Sequence, residues 1–387
     1  MNHHVRIPSR RDLFRSAGLG LGASLISGLW TQSAALAATP AGIWYGEYWA
    51  EKGPVRLAMY RKRKGAPKAG EKPLPILFLV HGSSLSARGS FDTTAPGVGE
   101  YSLMNVFAGL GYDVWAMDHE GYGRSTVTSG NSDVKSGVED LKAAMTVIGR
   151  ETGQDKCSFF GESSGGLRAA AFAMARPDAV DRLMVAAFTY TGKDSPTLGK
   201  RAEDSDFYRS HNRRKRDLAM IQSIFTRDKP GTSDPRVADA IAKYELQYGD
   251  TVPTGTYLDM TVNLPVVDPL QVKSPVMIIR GEYDGIATEA DVLDFFQKLP
   301  NQDRQFVVLA GAAHSVVFSN TRAQLWHVMH GFMARNPNGS NQPLSPVIAS
   351  RRRSDPVCRA ISGLLRPLRG LAMTPTWNGI RFDRLPD

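Results

Sequence analysis

The stretch of the 387-residue chain best suited to chemistry is Gly161-Glu162-Ser163-Ser164-Gly165, which fits the pattern G-x-S-x-G. It follows a strand-like run, KCSFFG, and precedes a helical pattern, GGLRAAAFAMARP. Small flanking residues let a serine sit on a sharp strand-to-helix turn with its hydroxyl exposed. The positive end of the helix points at the same spot. The pattern predicts that Ser163 is a nucleophile and that the backbone N–H of Ser164 stabilises an oxyanion. A structural Gly/Ser turn is the alternative interpretation.

A second oxyanion donor is expected in the loop after an earlier strand. The run ILFLVHGSS provides such a loop, because the residue after the His-Gly pair would present its N–H to the same pocket. We predict that this donor is the backbone of Ser83, with Ser84 as the alternative. His81 precedes the loop, and we expect it to shape the loop rather than to act as a base.

The base and the acid that orients it should follow the last two strands. His314 follows the last predicted strand, and small residues before it let the loop close over the site. Asp284 follows the strand before that one and lies at the turn just beyond it. Glu282, Glu289 and Asp291 are the alternative acids. In the favoured assignment His314 takes the proton of the serine and returns it, while Asp284 fixes the imidazole tautomer.

Two other histidines raise the question of a metal. His327 and His330 lie three residues apart on the predicted closing helix and could share a metal ion. No further ligand cluster accompanies them in the sequence. We therefore interpret them as ordinary helix residues and predict neither a metal nor a cofactor.

The elements that must position these residues alternate regularly. Short apolar runs such as ILFLV, YDVWAMD, KCSFFG and VDRLMVAAF alternate with helical patterns such as VEDLKAAMTVIGRETG. This order predicts a parallel, doubly wound α/β sheet. The alternation stops at residues 189–265, which are rich in charged and aromatic residues and which we expect to form a helical insertion. It resumes with PVMIIRGEYD, EADVLDFFQKL, RQFVVLAGAAH and TRAQLWHVMHGFMAR.

The formal net charge of +9 is concentrated at the two ends of the chain. Residues 1–15 carry +3 and residues 340–387 carry +5, which leaves +1 for the rest. A nearly neutral body makes nucleic acid an unexpected partner. Residues 336–387 are rich in Pro, Ser and Arg without a sustained pattern, and we predict a basic, disordered tail.

Residues 1–37 are predicted to be an export signal. Arg10 and Arg11, followed by an uncharged apolar stretch and the small residues Ala-Leu-Ala, resemble a twin-arginine signal cleaved after Ala37. We therefore expect a periplasmic or secreted protein that meets the twin-arginine export machinery. No other segment approaches the length of a membrane span. Cys157 and Cys358 are the two cysteines, and we expect free thiols.

The segments LFLVHGSS, WAMDHEGYGRS, FFGESSGG, IIRGEYD and AGAAHS occur in an order and spacing that resemble the α/β-hydrolase superfamily. The resemblance covers about residues 43–335. It implies a cofactor-free hydrolase whose core spans residues 38–188 and 266–335, with a cap at residues 189–265. Serine, aspartate and histidine occur in the chain order of the superfamily triad, and the GESSGG segment is similar to that of many carboxylesterases.

The resemblance implies hydrolysis of a small-molecule carboxylic ester through an acyl-enzyme. A lactonase or an amidase would use the same triad, so the motifs do not separate these activities. A non-catalytic binding protein with the same fold would need a missing triad residue, and all three are present. Aromatic and Met residues of the insertion could line a substrate pocket or form the insertion's own core. The run HNRRKRD could steer an anionic substrate or be a solvated face.

Overall fold

The computed structural model describes residues 36–334. The strands in this range are β1 (Ile43–Lys52), β2 (Val55–Lys64), β3 (Ile76–Val80), β4 (Asp113–Met117), β5 (Cys157–Glu162), β6 (Val180–Ala186), β7 (Arg213–Lys215), β8 (Thr251–Pro253), β9 (Val276–Gly281) and β10 (Arg304–Leu309). The α-helices are α1 (Ala87–Phe91), α2 (Leu103–Gly109), α3 (Val134–Thr152), α4 (Ser164–Ala175), α5 (Pro196–Ala202), α6 (Ser205–Ser210), α7 (Leu218–Thr226), α8 (Pro235–Glu245), α9 (Gly255–Leu258), α10 (Glu289–Lys298) and α11 (Arg322–Met333).

One sheet of eight strands carries the fold, in the order β1-β2-β4-β3-β5-β6-β9-β10. The strands β1, β2 and β4 pair antiparallel, and every pair from β4 to β10 is parallel. The central strand β3 is buried along its whole length, as expected for a parallel strand covered on both faces. The predicted α/β fold with a mostly parallel, doubly wound sheet is confirmed.

The period of two along each strand divides the apolar residues between two cores. In β5, Phe159 packs into a core that includes residues of α3, α4 and α10, whereas its neighbour Phe160 packs into a second core with residues of α2, α8 and α11. Successive side chains of a strand point to opposite faces, so helices cover both faces of the sheet. The carboxyl ends of β3, β5, β9 and β10 therefore lie along one edge, where the loops with the predicted site residues begin.

The segment between β6 and β9 interrupts the alternation of strand and helix. It contains α5 to α9, a π-helical turn at Asp259–Asn263, and the strands β7 and β8, which form an antiparallel pair of their own. The sequence predicted a helical cap at residues 189–265, and the short β pair adds to that description. We call residues 189–265 the cap.

The two chain ends bear on the predictions of export and of a tail. All but the last two residues of the predicted signal, 1–37, lie outside the described residues, as do the predicted tail and Cys358. Ala37, at the predicted cleavage site, donates its N–H to the carbonyl of Asp92 at 2.9 Å. Cys157 is a buried free thiol. None of the helices in residues 36–334 is long and apolar enough to cross a membrane.

Candidate active site

Ser163 occupies the sharp turn between β5 and α4. Its backbone has φ +56° and ψ −128°, a conformation that is uncommon for a residue with a side chain. The flanking glycines are required by close packing. A Cβ on Gly161 would lie 2.4 Å from the carbonyl oxygen of Gly165, and a Cβ on Gly165 would lie 2.1 Å from the carbonyl oxygen of Val80. The turn thus presses α4 against β3 and leaves the serine projecting from the edge of the sheet.

The structure brings the three predicted residues together although they are far apart in the sequence. His314 Nε2 lies 3.0 Å from Ser163 Oγ, and His314 Nδ1 lies 2.8 Å from Asp284 Oδ1. Both distances suit a proton relay in which the carboxylate orients the imidazole and the imidazole contacts the hydroxyl.

Asp284 is buried and well supplied with hydrogen bonds on one oxygen. Besides His314, the backbone N–H groups of Ile286 and Ala287 donate to Oδ1 at 2.9 and 3.0 Å. Burial by itself would raise the pKa of Asp284, but the charge and hydrogen bond of His314 and the two N–H groups lower it below its usual value. The carboxyl is therefore held as an anion beside the imidazole.

The alternative acids lie elsewhere. Glu282 is exposed and accepts the N–H of Gly311 at 2.8 Å. Glu289 is exposed in the first turn of α10. Asp291 is buried, but it accepts hydrogen bonds from the first residues of the cap, including the N–H groups of Tyr190 and Thr191 at 2.8 Å each. Of the four acids considered from the sequence, only Asp284 contacts His314.

The two predicted oxyanion residues are joined through their side chains. Ser83 Oγ lies 2.7 Å from Ser164 Oγ, and Thr256 Oγ1 donates to Ser83 Oγ at 2.9 Å. Tyr122 donates its hydroxyl hydrogen to the carbonyl of Ser83 at 3.0 Å. Within residues 36–334, the backbone N–H groups of Ser83 and Ser164 make no hydrogen bond, so both are free to donate to a ligand. Thr256 and Tyr122 carried no sequence signal for this position. The alternative donor, Ser84, holds the hydroxyl of Tyr257 at 2.8 Å.

Glu162 places a second buried carboxyl next to the serine. Its side chain accepts the N–H of Val317 at 3.3 Å. Burial and, to a smaller extent, the charge of Asp284 raise the pKa of Glu162, and the hydrogen bond from Val317 offsets part of this rise. The resulting pKa is about 8. Near neutral pH this carboxyl is mainly protonated, so it adds little negative charge beside Ser163.

Two adjoining cavities lie beside the cap, and the inner one reaches the serine. The inner cavity, of about 50 Å³, is lined by Ser163, His314, the 82–85 loop and residues of the cap. The outer cavity, of about 710 Å³, is lined mainly by α5 and α7 of the cap and by Arg214. Arg201, Ile224 and Arg227 line both cavities. Any substrate that reaches the serine therefore contacts side chains of the cap.

The remaining histidines have other surroundings. His81 is fully buried; its Nε2 accepts the N–H of His119 at 3.0 Å, and its Nδ1 lies 2.8 Å from the carbonyl of Gly82. Burial holds the pKa of His81 well below its usual value. A neutral ring bridging these groups fits the structural role expected from the sequence. His330 contacts the hydroxyl of Tyr112 at 3.1 Å.

One group of side chains has the composition of a metal site. Across residues 36–334, the group of three side chains close enough to hold a metal ion is Asp228, Asp284 and His314, whose ligand atoms lie within 4.8 Å of one another. Asp284 and His314 are already joined by their own hydrogen bond, at 2.8 Å between Oδ1 and Nδ1. His327 and His330 belong to no such group.

The sequence of this chain matches a known protein family. Residues 97–320 match the family described as serine aminopeptidase, S33. The chain belongs to this family of α/β-hydrolases. Membership confirms the superfamily resemblance of the sequence and makes the protein a hydrolase. No curated protein matches the chain.

Solved structures that resemble this chain share its fold at low identity. They include a bromoperoxidase from Bacillus anthracis (16% identity, TM-score 0.55, 75% of this chain and 100% of that chain). A thermophilic esterase from Thermogutta terrifontis has 19% identity and a TM-score of 0.53, over 75% of this chain and 98% of its own. An enol-lactonase from Burkholderia xenovorans has 16% identity and a TM-score of 0.53, over 74% and 100%. The activities named for these proteins differ, so the shared fold does not specify the bond that this hydrolase cleaves.

Proposed function

We propose that the protein hydrolyses carboxylic esters through an acyl-enzyme, with Ser163 as nucleophile, His314 as base and Asp284 as the orienting acid. The observation that carries the proposal is the unbroken line of contacts from Asp284 through the imidazole to the serine, at 2.8 and 3.0 Å. The backbone of Ser163, at φ +56°, supports the same assignment. Such a conformation costs free energy, and residues that adopt it cluster at functional sites.

In the proposed reaction, Ser163 Oγ attacks the acyl carbon while its proton passes to His314 Nε2. The backbone N–H groups of Ser83 and Ser164 donate to the oxyanion of the tetrahedral intermediate, a contribution of about 3 kcal/mol per donor in known cases. The imidazolium then protonates the leaving alcohol. Water repeats the sequence on the acyl-enzyme and releases the acid.

Replacing the nucleophile tests this proposal. Ser163→Ala should lower kcat for p-nitrophenyl acetate by about 10⁶-fold, because the covalent step is lost. Ser164→Ala keeps the backbone donor and loses only the hydroxyl contact to Ser83, so we expect about a tenfold loss or less. Melting temperatures of both variants should be measured alongside. Near-wild-type turnover by folded Ser163→Ala would overturn the mechanism.

Hydrolysis of an amide bond is the second candidate, and the description of the matched family as a serine aminopeptidase favours it. An aminopeptidase must hold the ammonium group of its substrate. The inner cavity, however, is bordered by Arg201, which has no carboxylate partner among the described residues, and by Arg227, which pairs with Asp228. Like charges repel, so this wall disfavours a free amino terminus and supports the ester assignment. Rates on a p-nitrophenyl ester, a lactone and an aminoacyl p-nitroanilide at equal concentration would rank the three bonds.

We also propose that the protein is exported by the twin-arginine route and acts in the periplasm or outside the cell. The support is the sequence of residues 1–37, with the arginine pair at Arg10 and Arg11. Lysine at both positions should keep the full-length chain in the cytoplasm when cell fractions are probed. Unchanged export of that double variant would contradict the proposed route.

A further inference from the structure

Arg201 is the feature of the site that the proposed chemistry does not use. Its side chain is partly buried where the inner and outer cavities meet. Among residues 36–334 it has no carboxylate partner, and its guanidinium donates no hydrogen bond. A guanidinium carries five donors that are satisfied by water, protein or ligand oxygens. An arginine in the wall of a cavity with none of them engaged by protein is available to a ligand.

The buried arginines of the same chain behave differently. Arg61 pairs with Asp113 through two hydrogen bonds, and Arg216 pairs with Glu245 at 2.7 Å. Arg168 donates to the carbonyl of Ser132 at 2.6 Å. Arg61 and Arg216 are thus each neutralised by a carboxylate, as the cost of burying an unpaired charge requires, whereas Arg168 keeps its Nε and Nη1 without a partner among the described residues.

The surroundings of Arg201 add further positive charge. Arg201 and Arg214 both lie against the ring of Tyr257, at 5.4 and 4.6 Å from its centroid. Burial lowers the pKa of Arg201, and the charges of Arg227 and Arg214 lower it further, whereas Tyr257 and Tyr208 raise it. Cations gathered in this way repel one another, and an anion bound between them would remove the repulsion.

The acidic groups near the cavities do not neutralise the positive charge of Arg201 and Arg214. Asp228 forms its ion pair with Arg227 at 2.9 Å. Glu203 and Asp204 line the outer cavity but are exposed and form no ion pair with Arg201 or Arg214. Glu162, in the wall of the inner cavity, is mainly protonated near neutral pH because of its burial. The cavity between Ser163 and the cap is thus left with unneutralised positive charge.

We propose that Arg201, supported by Arg214, binds a carboxylate of the substrate, so that the preferred substrate is an ester that carries a second, anionic carboxylate group. This inference rests on the proposed esterase function and adds its substrate class. A planar carboxylate fits a guanidinium with two parallel hydrogen bonds, which makes arginine a selective partner for it. The ester carbonyl then reaches Ser163 while the second carboxylate stays at the junction of the two cavities.

Matched pairs of esters test the proposal. Monomethyl glutarate and its amide isostere, methyl 4-carbamoylbutanoate, place the charge or its neutral equivalent on the acyl side. 4-Acetoxybenzoate and 4-acetoxybenzamide place it on the alcohol side. We expect kcat/KM for the anion of at least one pair to exceed that of its neutral isostere by about tenfold or more. Arg201→Gln should reduce this ratio by about tenfold, and Arg209→Gln, an exposed arginine on α6, should leave the ratio unchanged.

Binding without turnover separates this proposal from the esterase mechanism. In calorimetry, Ser163→Ala should bind glutarate at least about tenfold more tightly than glutaramide, and adding Arg201→Gln should abolish the difference. Glutarate binding without hydrolysis of any ester would support the carboxylate site and contradict the esterase. Equal rates within both ester pairs together with equal binding of glutarate and glutaramide would overturn the carboxylate site while leaving the esterase intact. A preference that survives Arg201→Gln would also overturn it.

Discussion

The two walls of the inner cavity are built in different ways. One wall is formed by the body, which is the part of the described chain outside the cap. There, backbone geometry positions the groups: Ser163 sits on a strained turn between closely packed glycines, and Asp284 is fixed by backbone N–H groups. On the wall formed by the cap, long side chains such as Arg201 and Arg227 reach into the space. On the proposed mechanism, this difference gives the reacting groups to the body and the side chains that contact the substrate to the cap.

The largest effect should follow from a change in the body wall. Asp284→Asn keeps the shape of the side chain but removes the charge that orients the imidazole, so we expect kcat for p-nitrophenyl acetate to fall by about 10⁴-fold. Steady-state kinetics measure this. Glu282→Gln, two residues away and exposed, is the control and should stay within about twofold of wild type. A greater loss of kcat in Glu282→Gln than in Asp284→Asn would show that Glu282, not Asp284, orients the imidazole.

Two glycines, one in the body and one in the cap, should differ in how their replacement changes the free energy of unfolding. A Cβ on Gly165 would lie 2.1 Å from the carbonyl oxygen of Val80, whereas a Cβ on Gly199, exposed in helix α5 of the cap, meets nothing within 4 Å. Gly165→Ala should lower the free energy of unfolding by about 3 kcal/mol or prevent folding. Gly199→Ala should raise it by about 0.5–1 kcal/mol, because alanine is the better helix former.

Urea denaturation of both variants measures the difference. If Gly165→Ala proved as stable as wild type, the close packing of α4 against β3 would not be what shapes the serine turn. If Gly199→Ala destabilised the protein instead, the cap would be packed more tightly than the structure shows.

A smaller, pH-dependent effect is expected at Glu162. Its pKa, about 8 in the folded protein, lies above the ordinary value of 4.5. Between these values the folded state holds a proton that the unfolded state has released, so the stability of the wild type falls as pH rises. Glu162→Gln removes this proton but keeps an oxygen for the N–H of Val317. Relative to wild type, the variant should gain on the order of 3 kcal/mol between pH 5 and pH 8.

Thermal or urea unfolding across that pH range tests the expectation, with Glu289→Gln, an exposed acid on α10, as the control. A parallel pH profile for wild type and Glu162→Gln would show that the carboxyl is already ionised in the folded protein.

The features that the sequence predicted correctly are those fixed by short stretches of neighbouring residues. The strands β3 and β5 appear as apolar runs, and the serine turn appears as glycines at fixed spacing, because sheet burial and close approach restrict those positions directly. The alternation of the elements predicted the sheet for the same reason. The start of α3 was expected four residues too late, because its cap, Asp133, precedes the apolar pattern.

Contacts between distant segments could not be predicted in this way. The hydroxyl of Thr256 reaches Ser83 from the cap, and Asp291 holds the start of the cap from α10. The lack of a partner for Arg201 is also invisible in the sequence, where the charge run containing Arg214 resembles any solvated surface. Such features depend on how the cap lies on the body, and no spacing rule encodes that arrangement.

The most direct test of the account is covalent labelling of the nucleophile. The protein is incubated with an alkyl fluorophosphonate, and the intact mass and the labelled peptide are determined by mass spectrometry. The proposed mechanism predicts one phosphonyl group per chain, attached to Ser163, together with complete loss of esterase activity and no label in Ser163→Ala. Label on Ser164 or another residue, or full esterase activity without any label, would contradict it.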